Sequence, residues 1–169
     1  MAYNKEDEKS HHPSVIALMY SRDGGEAWET GKICRELSDA SEFSVCQLSD
    51  GRIFANIRHE GEENCRAAAE ISGDFSIDNI RFCKNLPDPV CCAGFVSLGD
   101  GFLFSNCDSG TDRESLTLKR LSSDFSTEGE LLLSQEGGYS DIAFSAEKNE
   151  AYIIYEHGKH LDLCVVDIN

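Results

Sequence analysis

Hydrophobic residues in this chain fall in short runs broken by polar turns, and no stretch sustains the helical period of roughly 3.6 residues. Val15-Ile16-Ala17-Leu18-Met19-Tyr20 passes straight into Ser21-Arg22-Asp23-Gly24-Gly25-Glu26-Ala27-Trp28. An Asp followed by two glycines after a β-like run predicts a tight turn, because glycine reaches φ > 0 without steric cost. Trp28 is expected to anchor that turn by packing back onto the sheet. The later runs predict strands over 43–48, 52–58, 65–71 and 80–84, then 93–98, 102–107, 115–121 and 130–134, then 140–145, 151–156 and 161–167. An earlier strand over 14–20 and another after Trp28 precede them. Only 65–71, Cys-Arg-Ala-Ala-Ala-Glu-Ile, is locally helix-friendly.

Repetition decides that ambiguity in favour of strand. Leu48-Ser-Asp-Gly-Arg-Ile-Phe54 resembles Leu98-Gly-Asp-Gly-Phe-Leu-Phe104, and Ser72-Gly-Asp-Phe-Ser76 resembles Ser122-Ser-Asp-Phe-Ser126, both at an offset of about 50 residues. The turn at Ser21 precedes Ser72 by nearly the same interval. Short strands and turns repeating at this period predict an all-β fold, a partial β-propeller of four-stranded antiparallel blades. About two blades are complete and two incomplete. The domain reading is a polar, flexible lead-in over 1–13 and a partial propeller over 14–169. Closed propellers have at least about 4 blades, so the expectation is a fragment whose remaining blades come from upstream residues or other chains.

Composition adds constraints. The chain has 169 residues, 40% hydrophobic and 27% charged, which is globular. Its formal charge of −16 argues against nucleic acid or an anionic membrane surface as partner. None of the eight cysteines lies in a C-x-x-C spacing, so we read them as free, buried thiols rather than zinc ligands. The N-terminus shows no signal-peptide core, no run is long enough to span a bilayer as a helix, and the compartment stays open. His11-His12 is read as inert.

In an antiparallel blade the start of the first strand, the end of the second and the start of the third share one end. Glu42 and Tyr139 precede first strands, Arg58 ends a second strand, and Arg113 sits in a loop between second and third strands. Two arginines, a carboxylate and a phenol are therefore expected to converge, with the Asp-containing turns at the opposite end. His157 and His160 have no carboxylate partner at a readable spacing. Arg66 and Glu156 are read either as orienting the site or as surface ion pairs.

These segments together resemble the C-terminal half of an exo-α-sialidase (neuraminidase) catalytic domain. Tyr20–Trp28 is similar to the family's Asp box. Ser41–Arg58 resembles the segment holding the nucleophile-activating Glu and one arginine of the arginine triad. Pro87–Cys91 and Phe104–Asn106, followed by Arg113, resemble the segment of the final triad arginine, and Gly138–Ile142 with Tyr155-Glu156 resembles the nucleophile segment. The resemblance covers about residues 14–169 and implies a six-bladed propeller that removes terminal sialic acids from glycoproteins, glycolipids and oligosaccharides, with no cofactor. It assigns Tyr139 as nucleophile, Glu42 as its base, and Arg58 and Arg113 as substrate-binding residues.

The residue types suit that chemistry. A substrate with a carboxylate on its anomeric carbon would be clamped by guanidiniums and would repel a carboxylate nucleophile, whereas a phenol is neutral. A phenol needs a neighbouring base at neutral pH. Two parts of the family's pattern have no counterpart here: the first triad arginine in its R-I-P motif, and the acid/base aspartate. Ser41 replaces the Asn usual before the Glu, and the two later Asp boxes carry Asn79 and Gly129 in place of Trp, which predicts looser turns. A non-catalytic sialoside-binding or interaction propeller is the alternative, since two arginines suffice to hold a carboxylate.

Overall fold

The computed structural model describes residues 13–168 and the backbone of residues 2–3. Most of the expected lead-in, including His11-His12, lies outside the described residues. The described elements are fifteen strands: β1 (Ala2–Tyr3), β2 (Ser14–Val15), β3 (Met19–Tyr20), β4 (Glu29–Thr30), β5 (Ala40–Gln47), β6 (Ile53–His59), β7 (Cys65–Ile71), β8 (Ile77–Pro87), β9 (Gly94–Ser97), β10 (Gly101–Cys107), β11 (Glu114–Ser122), β12 (Thr127–Glu136), β13 (Ser140–Ser145), β14 (Glu150–His157) and β15 (His160–Asp167). Strands β5 to β8 form one four-stranded antiparallel sheet, β9 to β12 a second, and β13 to β15 a three-stranded third, each in sequence order. The short pairs β1–β2 and β3–β4 precede them. This is an all-β fold of antiparallel sheets that resemble propeller blades. No helix among the described residues is long and apolar enough to cross a membrane.

Face-to-face stacking of the sheets explains the burial pattern. Successive side chains of a strand point to opposite faces. In β6, Ala55 and Ile57 pack into a core with Ile16, Leu18 and Ile71, while Phe54 points the other way into a core with Phe95, Phe102 and Phe125. In β10, Phe102 and Phe104 join that second core, and Leu103 joins a third with Leu118, Ile142 and Ile153. A sheet covered on both sides cannot alternate apolar with polar, which is why β10 is buried along its whole length. It is also why Cys-Arg-Ala-Ala-Ala-Glu-Ile is a strand. Its alanines are divided between two cores, with Ala67 and Ala69 on one face and Ala68 on the other.

The turns follow the repeat. Ser72 N–H donates to Ser76 O at 3.1 Å and Phe75 N–H to Ser72 O at 2.9 Å; Ser122 N–H donates to Ser126 O at 3.0 Å and Phe125 N–H to Ser122 O at 2.9 Å. In both, an aspartate Oδ1 accepts the backbone N–H four residues after the serine, at 3.2 Å for Asp74 and 3.1 Å for Asp124. Phe75 and Phe125 take φ of 60° and 67°, so the copies match in backbone as well as in bonding. They are not the looser turns expected from the missing tryptophan. Trp28 itself is 60% exposed, and its indole N–H donates to Gly25 O at 3.1 Å rather than entering a core. The turn at Ser21 is held instead by Asp23, whose Oδ1 accepts from Ala27 N–H at 3.0 Å, and by the Ser21 hydroxyl, which accepts from Gly25 N–H at 2.8 Å. Because these turns close so tightly, pairing resumes at once. Ile71 faces Ile77, and β8 begins at Ile77 rather than at 80. The run 14–20 divides into β2 and β3, with an isolated bridge from Ile16 to Cys34 between them.

One buried ion pair ties the first full sheet to the connection that leads to the second. Arg66 of β7 is 1% exposed; its Nε donates to Asn56 Oδ1 at 2.7 Å, and its Nη1 donates to Cys91 O at 2.8 Å and lies 3.4 Å from Asp88 Oδ2. Asp88 also accepts from the Cys91 backbone N–H at 3.2 Å. The surface ion pair considered for Arg66 is thus replaced by a desolvated network shaping residues 88–91. Burial pushes the guanidinium below its usual pKa, and Asp88 pulls it back. Arg66→Ala strands a buried carboxylate and is expected to cost about 3–5 kcal/mol, whereas Arg66→Met with Asp88→Leu removes both charges and should cost less. Urea unfolding of the two proteins checks the order.

Candidate active site

Chemistry gathers where the sheets show one shared end. Pairing of β5 with β6 runs from Ala40↔His59 to Phe43↔Ile57, so Ser41 and Glu42 together oppose Arg58. This β-bulge re-aims Glu42 toward the Arg58 side chain instead of letting it alternate away. Tyr139 enters from the other side, one residue ahead of β13. Its phenol donates to Glu42 Oε1 at 2.9 Å, and its oxygen accepts from Arg58 Nη1 at 2.9 Å. Arg58 Nη1 also bonds Glu42 Oε2, and Nη2 lies 3.2 Å from Glu60 Oε1. Arg113, on the loop between β10 and β11, places its guanidinium carbon 5.2 Å from the centre of the Tyr139 ring, within cation–π range. The four candidate residues therefore meet.

Their electrostatic situations differ. Burial works against the charge of Arg58, but the Glu42 carboxylate, Glu60 and the phenol outweigh it and hold its pKa above normal. Burial raises the Tyr139 pKa, and its bond to Glu42 raises it further, while Arg58 opposes both. At neutral pH the phenol is accordingly protonated and its proton already points at a carboxylate. Arg58 in turn would stabilise the oxygen once that proton leaves. Arg113 is exposed, and among the described residues no carboxylate pairs with it.

The backbone of Tyr139 is clamped by Glu156 of β14. Glu156 Oε2 accepts from Tyr139 N–H at 2.9 Å, and Glu156 N–H donates back to Tyr139 O at 2.9 Å. A Cβ on Gly138 would lie 2.4 Å from Glu156 Oε2 and 2.8 Å from its Cβ, so only glycine fits before the tyrosine. Glu156 is an orienting group, not a surface ion pair. Beside it lies a hollow of about 350 Å³, bordered by Ser44, Cys92, Ala93, Tyr139, Ile154 and Leu161 among others. All eight cysteines are free thiols.

Two partners escaped the sequence reading. Glu60 shares the Arg58 side of β6 through the two-residue alternation of a strand, a readable signal at the strand's end. His157, expected to lack a carboxylate, has its Nδ1 2.8 Å from Asp162 Oδ2 across the β14–β15 hairpin. That pairing depends on hairpin register, with Tyr155 facing Asp162.

No protein-family model matches the sequence. The chain is 30% identical over 154 residues to a sialidase of Bacteroides fragilis, an alignment covering 82% of this chain and 28% of that protein. Its fold resembles that of the Hadza microbial sialidase Hz136, with a TM-score of 0.75 and 24% identity over 88% of this chain and 31% of that one. The NanB sialidase from Streptococcus pneumoniae superposes with a TM-score of 0.67 and 14% identity, over 92% of this chain and 27% of that one. Trypanosoma rangeli sialidase does so with a TM-score of 0.65 and 18% identity, over 90% and 27%. The chain is homologous in sequence and fold to sialidases and spans 28% of the curated relative.

The hydrogen bonds to Tyr139 are testable by ultraviolet titration, comparing the protein with Tyr139→Phe to isolate this one phenol. Tyr139 should ionise above the ordinary tyrosine value of about 10. Glu42→Gln removes the charge that holds the proton, so its pKa should fall; Arg58→Met removes the opposing charge, so it should rise. Equal values in all three backgrounds contradict the geometry.

Proposed function

We propose that this chain belongs to the exo-α-sialidase family and carries one part of the active site of a retaining glycoside hydrolase that removes terminal sialic acids from glycoconjugates. The observation that carries this reading is the phenol of Tyr139, bonded at once to Glu42 and to Arg58 across 97 and 81 positions of sequence. A binding module has no use for a phenol whose proton is already directed at a carboxylate. Homology to a sialidase supports the same substrate class.

The mechanism follows from the arrangement. The substrate carboxylate lies against the exposed guanidinium of Arg113, with Arg58 beside it, an interaction that an overall charge of −16 makes indispensable for an anionic ligand. Glu42 takes the phenol proton as the Tyr139 oxygen bonds to the anomeric carbon, and Arg58 stabilises the developing negative oxygen. The leaving oxygen departs with a proton from an acid that none of these residues supplies. Water then bonds to the anomeric carbon, giving up a proton to the conjugate base of that acid, while Glu42 returns its proton to the departing Tyr139 oxygen; the two displacements give overall retention. In the proposed whole, the sheets here are consecutive blades of a six-bladed ring. The first triad arginine and the acid/base aspartate come from the part of the ring that this chain does not contribute. The 28% share of the curated relative leaves ample room for that part.

Release of a fluorogenic aglycone from an α-sialoside tests this, measured for the chain alone and for the open reading frame that contains it. In the active form, Tyr139→Phe should abolish turnover. Glu42→Gln should lower kcat about 10²–10⁴-fold, the usual contribution of a general base. Arg113→Met should act mainly on KM. Turnover that survives Tyr139→Phe refutes the nucleophile assignment.

A further inference from the structure

Two small side chains of β10 have no part in the chemistry above, yet they touch the segment that presents Tyr139. Strand alternation puts Leu103, Ser105 and Cys107 on the face of β10 that looks toward β13, with Phe102, Phe104 and Asn106 on the other. Ser105 and Cys107 are fully buried. Cys107 Sγ donates to Gly138 O at 3.6 Å, the carbonyl of the peptide bond entering Tyr139. Ser105 and Ser140 hydroxyls lie 2.8 Å apart, and the Ser140 hydroxyl also reaches Ser105 O at 2.9 Å. Since Ser140 gives its one proton to that carbonyl, Ser105 donates to Ser140 Oγ.

Space has been cleared for both groups. A Cβ on Gly94 would come within 2.7 Å of Ser105 Oγ, and a Cβ on Gly137 within 3.0 Å of Cys107 Sγ.

We infer that Ser105 and Cys107 are positioning residues, gripping the Gly138 carbonyl and the Ser140 hydroxyl on either side of Tyr139 so that its phenol stays on Glu42 and Arg58. Glu156 holds the Tyr139 peptide groups from β14, and from the neighbouring sheet β10 holds the Gly138 carbonyl before it and the Ser140 hydroxyl after it. The two peptide units flanking Tyr139 Cα, together with the Ser140 side chain, are thereby tied to two different sheets. A displacement of about 1 Å at a reacting group costs on the order of 10²-fold in rate, which is the scale at which such ties matter. The inference rests on Tyr139 being the functional phenol, but its test does not need turnover.

The test uses the protein labelled at tyrosine Cζ with ¹³C, with the Tyr139 resonance assigned by its loss in Tyr139→Phe and followed from neutral pH upward. Wild type should show a distinct Tyr139 shift and late ionisation. Ser105→Ala with Cys107→Ala should move the Tyr139 resonance toward that of a solvated tyrosine and bring its ionisation into the ordinary range. Cys107→Ser retains a donor and should restore most of the wild-type signal in the Ser105-intact background. Where sialoside turnover is measurable, the double variant should lose kcat about 10- to 100-fold with KM within about twofold. If the double variant does not fold, Cys107→Ala alone, which forfeits a single weak bond, supplies the comparison with Cys107→Ser. A variant that is less stable to urea yet leaves the Tyr139 resonance and titration unchanged overturns the positioning role. A wild-type Tyr139 that titrates with the other tyrosines overturns both this inference and the site itself, whereas absent turnover with a displaced Tyr139 counts against the enzymatic reading alone.

Discussion

Covering a β-sheet on both faces leaves nowhere along its length for an unpaired charge. In this protein each of the two four-stranded sheets is a wall shared by two cores, so polar chemistry is driven to the strand ends. At one end the loops are tight serine–aspartate turns that satisfy their own backbone. At the other the chain offers bulges, long connections and strand starts. Glu42, Arg58, Arg113 and Tyr139 all occupy that second end, and stacking neighbouring sheets brings them into one place.

The same constraint sets the cost of the exceptions. Arg66 lies on the interior face of β7, where a lone guanidinium would be prohibitive, and it is tolerated because Asp88, Asn56 and the Cys91 carbonyl enclose it. Its network holds residues 88–91, next to Cys92, whose carbonyl accepts from Ser140 N–H at 3.4 Å. A few strand positions away, Arg58 is charged for a different reason: it bonds the carboxylates and phenol that make up the site. Two arginines on one face of one sheet are thus held differently, Arg66 enclosed in the interior and Arg58 at the proposed site.

An apolar face also remains open. Leu161, Leu163 and Val165 of β15 point away from the third core, with Leu161 67% exposed. Ile154 of β14 joins them beside the hollow next to Tyr139. Such a face matches the inner faces buried elsewhere in the stack, in keeping with a proposed ring in which another blade lies against it.

Much of this was legible in the residues themselves. Strand positions, the repeat of about 50 residues and the placement of the Asp turns followed from alternation, glycine and spacing, because these are local rules that hold wherever the segment lies. Alternation in 65–71 was not decisive by itself; the repeat settled a stretch that alanine propensity would have made helix. Trp28 misled for the converse reason. A large aromatic is attractive as an anchor, yet only neighbouring sheets decide whether there is a core to enter, and among the described residues none covers that turn. The sequence determined which residue types stand at the functional end. Tertiary structure alone decided that a bulge turns Glu42 onto Arg58, that Tyr139 reaches both, that Arg66 is enclosed rather than solvated, and that Cys107 and Ser105 meet the Gly138 carbonyl and the Ser140 hydroxyl on either side of the tyrosine. Each of these depends on the distance between strands far apart in the chain, and no local preference encodes a distance of that kind.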